Sequence, residues 1–116
     1  MPIEKKIYIQ NLDEEFTYTI GKNANDNFTL IDNSQEDDFW FHLKDQSSSH
    51  VVVKMDKNYK KKELSYILNQ GAILCKQHSK QKNLQGVPII YTKIKNVTKT
   101  EIPGSVIIKN EKTIYI

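Results

Sequence analysis

The chain contains no arginine: all 17 of its basic residues are lysine. A planar guanidinium fork, gripping guanine or phosphate with two parallel hydrogen bonds, is therefore excluded, and a polyanion has to be held by point charge and shape. There is one cysteine, Cys75, so no internal disulfide can form. This usage fits a reducing, intracellular compartment, with Cys75 itself expected as a small buried hydrophobe. Four glycines are scattered at positions 21, 71, 86 and 104; none completes a P-loop or dinucleotide fingerprint, and no cofactor is expected. No apolar run approaches the ~20 residues of a membrane span, and Met1 to Lys6 lack the apolar stretch of a secretory signal. The expectation is a cytoplasmic protein with no membrane attachment.

What is present is an ordinary globular composition, 38% hydrophobic and 27% charged, in a length suited to one domain spanning residues 1–116. The charge is unevenly spread. Residues 1–50 hold four lysines and ten acids, a net −6, whereas residues 51–116 hold thirteen lysines and four acids, a net +9. The second half has the balance of a surface made for a polyanion.

The densest stretch is Trp40 to Lys54, WFHLKDQSSSHVVVK. On a strand, Trp40, His42 and Lys44 share one face and Phe41 and Leu43 the other, so the first face is read as polar-aromatic and open, the second as core. Asp45 to Ser49 is turn chemistry. His50-Val51-Val52-Val53 returns as a β-branched run, predicting a hairpin that brings His42 near His50. The two histidines then either fix the hairpin by hydrogen bonds or lie on a nucleic-acid surface where Trp40 and His42 offer stacking planes to a base and nearby lysines hold phosphates. The residues leave both readings open.

Alternation predicts strands over Lys5–Gln10 and Phe16–Ile20, and a short helix follows near 25–31 with Asn25 or Asp26 as its cap. Leu64, Ile67, Leu68, Gly71, Ala72 and Cys75 recur at helical spacing, predicting a helix over roughly 61–80 packed on a sheet, with Gly71 where its backbone comes closest. Lys62, Tyr66, Ile73, Lys76, Gln77 and Lys80 fall on the outer side. Residues 87–95 read as a strand, with Ile90, Thr92 and Ile94 on one face and Ile89, Tyr91, Lys93 and Lys95 on the other. Pro103-Gly104 marks a turn, and 105–109 with 113–116 read as a final hairpin. The fold class is α+β: a mainly antiparallel sheet of six or seven strands with one main helix on one face.

These residues resemble a known family. Trp40, His42, Lys44, Asp45, Ser49, His50 and Lys54 match the signature of the NFACT-R domain, the RNA-binding module of ribosome quality control factors of the NEMF type, with Ser47-Ser48 where the family usually has Pro-Gly. Gly21-Lys22-Asn23, the Tyr91-Thr92 strand with Lys93 and Lys95, and the Pro103-Gly104 turn extend the likeness over residues 16–116. The resemblance implies a nucleic-acid-binding module that takes structured RNA, tRNA or ribosomal RNA, with DNA as a second candidate and the ribosome or a full-length quality control factor as partners. Tail addition is not expected of this segment by itself. The signature residues and Tyr91 are the candidate contacts, and charge adds Lys76, Lys80, Lys93, Lys95 and Lys99 as phosphate ligands.

Catalysis is not expected. His42, His50 and His78 with Asp45 or Asp37-Asp38 lack a metal-ligand spacing, and Ser47 to Ser49 lack a nucleophile elbow. The rival class is a protein-interaction module docking through Trp40, Tyr66 and Ile73; salt dependence separates it from phosphate binding.

Overall fold

The computed structural model describes all 116 residues. Strands β1 (Ile3–Ile9) and β2 (Glu14–Ile20) form an antiparallel hairpin closed by a 3-10 turn at Gln10–Leu12. Helix α1 (Ala24–Asp32) follows, then β3 (Phe39–Leu43), β4 (Val51–Val53), the long helix α2 (Lys61–Gln77) and β5 (Pro88–Lys93). After a 3-10 turn at Ile94–Asn96 come β6 (Val97–Lys99), β7 (Val106–Ile108) and β8 (Lys112–Tyr115). Six strands make the main sheet in the order β1-β2-β4-β3-β5-β8, every pair antiparallel. The α+β expectation holds, with a small β6-β7 sheet added.

The β3-β4 pairing sets Trp40 opposite Val52 and Phe41 opposite Val51. Because strand side chains alternate, the main sheet presents two apolar faces, and both are covered. On one face Tyr18, Ile20, Phe41, Leu43, Val51, Val53 and Ile89 pack against Ile67, Ala72 and Cys75 of α2. Gly71 is what lets that helix settle: a Cβ there would lie within 2.8 Å of three carbons of the Phe41 ring. The helix backbone therefore rests on an aromatic ring, as the position of this glycine in the apolar stripe predicted. On the other face Leu30 and Ile31 of α1 and Ile94 cover Trp40 and Val52, with Val106 and Ile108 of the small sheet packed beside them.

The second layer corrects the reading of the Trp40 face. Instead of opening to a ligand, Trp40 is 1% exposed, because α1 and the β6-β7 sheet close over it. It is thereby separated from Tyr66 and Ile73, which lie half-buried on α2 across the sheet, and the three form no common docking patch. Three smaller expectations also change. The α1 cap is Asn23, whose side chain accepts from the Asp26 amide at 2.8 Å. Lys95 leaves the face it was assigned, because the strand ends at Lys93. The final hairpin does not form: β7 pairs with β6 and β8 with the edge of β5. Val106 and Ile108 join the α1-side core while Ile114 and Ile116 join the α2-side core, so the two segments are drawn to opposite faces, and the chain turns between them at Asn110, which has φ 56. No helix is long and apolar enough to cross a membrane.

Candidate nucleic-acid interface

At the end of β3 and β4 where the 44–50 loop joins them, Trp40, His42 and His50 form a compact aromatic group. The His42 ring stacks parallel to Trp40, with centroids 5.6 Å apart and planes 7° apart, and His50 stands edge-on to both at 5.1 and 5.2 Å. Trp40 Nε1 donates to His50 Nδ1 at 3.1 Å. Accepting at Nδ1, the ring is neutral, and burial pushes its pKa down from 6.5 to about 3. The His50 amide donates to the Asn27 side-chain oxygen at 3.1 Å, and Gly21 leaves the space that the Asn27 side chain occupies. His50 is scaffold.

His42 is different. It is only half-buried, and its Nδ1 donates to the Leu43 carbonyl at 2.6 Å. Burial lowers its pKa too, so at neutral pH the ring is uncharged with Nε2 as an acceptor. That nitrogen has no partner within the protein.

Above this group lies a cleft of about 660 Å³. Its walls come from the start of α1, the serines of the 47–49 loop, the segment following α2, and the Pro103-Gly104 turn. Gly104, at φ 83, is held so close to Ala24 that a Cβ would lie 3.1 Å from the alanine Cβ. The lining includes Lys22, Lys80, Lys82, His42, His50 and His78 together with four serines and two asparagines, and contains no carboxylate. None of the three lysines takes part in an ion pair. Ser48, Ser49 and Ser79 spend their hydroxyl protons on backbone carbonyls, and a concave surface with unpaired ammonium groups and no acid in its lining attracts phosphate.

Of the residues predicted from sequence, the cleft gathers His42, Ser49, His50 and Lys80, and an adjoining one takes in Asp45 and the edge of Trp40. The others disperse. Lys44 is exposed, and its amide donates to the Pro88 carbonyl. Lys54 sits at the far end of β4, beside depressions lined by Glu14 and Asp38. Lys76 donates to the Ile116 carbonyl at 3.1 Å. Tyr91 is half-buried against Phe39 and Phe41, with ring centroids 6.1 Å away in both cases. Lys93 and Lys95 share Asp37 at 3.5 and 4.0 Å, and Lys99 pairs with Asp32. The acidic and basic halves of the sequence are therefore interleaved in space, and part of the +9 is neutralised at home. Lys22, Lys82, His78, Ser47 and Ser48 were not singled out as contacts. Gly21-Lys22-Asn23 did carry a signal in its likeness to the family, whereas Lys82 gave none.

Lys22, Lys80 and Lys82 are on loops around the sheet, where binding residues are often carried. No group of three His, Cys, Asp or Glu side chains is placed to hold a metal ion.

The family profile of the NFACT protein RNA binding domain matches residues 5–110, and the chain belongs to that family. It is an NFACT-R domain, the RNA-binding module of ribosome quality-control factors of the NEMF and RqcH type, and such a domain binds nucleic acid rather than catalysing a reaction. The chain is 31% identical over 103 residues to the Rqc2 homolog RqcH of Bacillus subtilis, covering 86% of this chain and 17% of the relative. It is 31% identical over 116 residues to the coiled-coil domain-containing protein 25 homolog of Dictyostelium discoideum, covering 93% and 54%. The C-terminal part of the fibronectin/fibrinogen-binding protein from Streptococcus suis shares the fold, with a TM-score of 0.82 at 24% identity over 99% of this chain and 45% of that one. The chain spans about half or less of each relative's length.

Proposed function

We propose that this domain binds structured RNA, tRNA or ribosomal RNA, through the cleft at the His42 end of the sheet, in the setting of translation or ribosome quality control. The observation that carries the reading is the lining of that cleft: Lys22 from one segment and Lys80 and Lys82 from another converge on it, and no carboxylate is among its walls. Without arginine, these contacts are to the phosphate backbone and carry little base preference. A ribosome or a full-length quality control factor is the partner such a module would meet, and DNA, which offers the same phosphates, is the competing ligand.

The test is titration of labelled tRNA at several salt concentrations, with a DNA duplex in parallel. Binding that falls linearly in log affinity with log salt, at a slope reporting two or three released counterions, is expected. Absence of tRNA binding even at low salt rejects the reading.

A further inference from the structure

The carboxylate-free cleft does not end at His42. It adjoins a second cleft of about 560 Å³ between the Asp45–Ser47 loop and the β6-β7 turn, and the two share His42, Ser47, His50, Pro103 and Gly104 in their walls. Their linings differ in kind: the first has one hydrophobic residue among fifteen, the second five among thirteen, including Ile90, Val106 and Ile108. Each has the volume of a small-molecule site, about 300–1,000 Å³. A charged compartment opening into a partly apolar one, with a polar junction, has the order of chemistries found along one nucleotide: phosphate, ribose, base.

The junction residue is suited to the middle member. His42 lines both clefts, its ring is backed by Trp40, and its Nδ1 is already bonded to the Leu43 carbonyl. No buried polar side-chain atom lacks a partner, so the unpartnered Nε2 is open to solvent. As an acceptor it is matched to a hydroxyl donor, which ribose has at C2′ and deoxyribose lacks. In the second cleft, Gln46 already accepts from Gln81 through its carbonyl oxygen at 2.8 Å, leaving its amide hydrogens for the edge of a base.

Resting on the RNA reading above, we propose that the paired clefts seat one unstacked ribonucleotide from a loop, bulge or end of the bound RNA. Its phosphate lies among Lys22, Lys80 and Lys82, its 2′-hydroxyl donates to His42 Nε2, and its base rests on Ile90, Val106 and Ile108. A duplex, whose bases are stacked and paired, reaches only the first cleft. The domain then distinguishes unpaired RNA from duplex RNA, and RNA from DNA, without arginine and without reading a sequence.

Fluorescence anisotropy on the whole chain at one fixed salt concentration tests this with three probes: a single-stranded RNA of ten nucleotides, the DNA of the same sequence, and the blunt RNA duplex. The single-stranded RNA is expected to bind at least tenfold tighter than the duplex and about threefold or more tighter than the DNA. His42→Phe, which keeps a ring on Trp40 but removes the acceptor, should bring RNA to the affinity of DNA, and Ser105→Trp, which fills the second cleft, should bring it to that of the duplex. Thermal melts accompany both, and Ser47→Trp, at an exposed position lining both clefts, replaces either variant if it fails to fold. Equal affinity for single-stranded and duplex RNA, or a preference that survives the cleft variants, overturns the nucleotide seat while leaving RNA binding intact. Binding of none of the probes overturns the RNA reading itself and the seat with it.

Discussion

The Trp40 indole nitrogen donates to Nδ1 of His50 across 3.1 Å inside the sheet, and this bond fixes His50 as a neutral ring. A proton on Nδ1 would put two donors face to face. Since the folded-state pKa of about 3 lies below the ordinary 6.5, the unfolded chain binds the proton more readily than the folded one. The stabilisation is complete above about pH 6.5 and is lost progressively as pH falls from there toward 3.

Chemical denaturation between about pH 7.5 and 4.5 should therefore show stability falling below about pH 6.5, with this residue contributing a slope of up to about 1.4 kcal/mol per pH unit. His42 and His78, whose pKa values burial also lowers, add to the same limb. His50→Asn should make it shallower, leaving the share of His42 and His78, until the carboxylate range, where Asp26 and Glu14, both held below their ordinary values by hydrogen-bonded partners, begin to titrate. An acid limb unchanged in the variant would remove His50 from the account.

Gly71→Ala should destabilise the protein even though alanine is the better helix former by about 1 kcal/mol. The added methyl would meet the Phe41 ring, which is fully buried and has no room to retreat. Overpacking of this kind costs about 1–3 kcal/mol, and pairing the change with Phe41→Leu should restore part of the loss. Melting curves of the single and double variants check both statements.

Lys22→Gln, Lys80→Gln and Lys82→Gln should each weaken tRNA binding and reduce the salt slope by about 0.7–0.9. Lys93→Gln and Lys95→Gln should have smaller effects, since Asp37 already offsets their charge, and Lys99→Gln likewise through Asp32. If the Lys93, Lys95 and Lys99 variants prove the more damaging set, the RNA surface lies at the C-terminal end of α1, away from the cleft at its start.

Asp38 is buried, and its two carboxylate oxygens accept from the Gln35 and Met55 amides, each at 2.9 Å, tying the α1-β3 connection to the segment leaving β4. Asp38→Ala should cost about 2–3 kcal/mol by leaving both donors without their acceptor, with RNA affinity of the folded fraction unchanged. Denaturant titration with a parallel binding curve measures the two effects separately.

The local structure was legible in the sequence wherever one periodicity dominated. The β3-β4 hairpin followed from alternation flanking a serine turn, and α2 from its apolar stripe, with Gly71 marked as the point of closest approach. The α+β class followed from these, and the family from Trp40, His42, Asp45 and His50. Each of these conclusions depends on neighbours in the chain, which a sequence displays directly.

Which face of a strand is covered depends on residues far away, and that only the tertiary structure decided. Trp40, His42 and Lys44 alternate like an open face, yet Leu30, Ile31 and Ile94 arrive from outside the hairpin and bury the first of them. The serial separation of acid from base likewise dissolved when Lys93 and Lys95 folded against Asp37 and Lys99 against Asp32. The cleft itself joins residues 22, 42, 80, 82 and 104. No local pattern links these positions, because they are brought together by the crossings of a six-stranded sheet and by the two layers that pack on it.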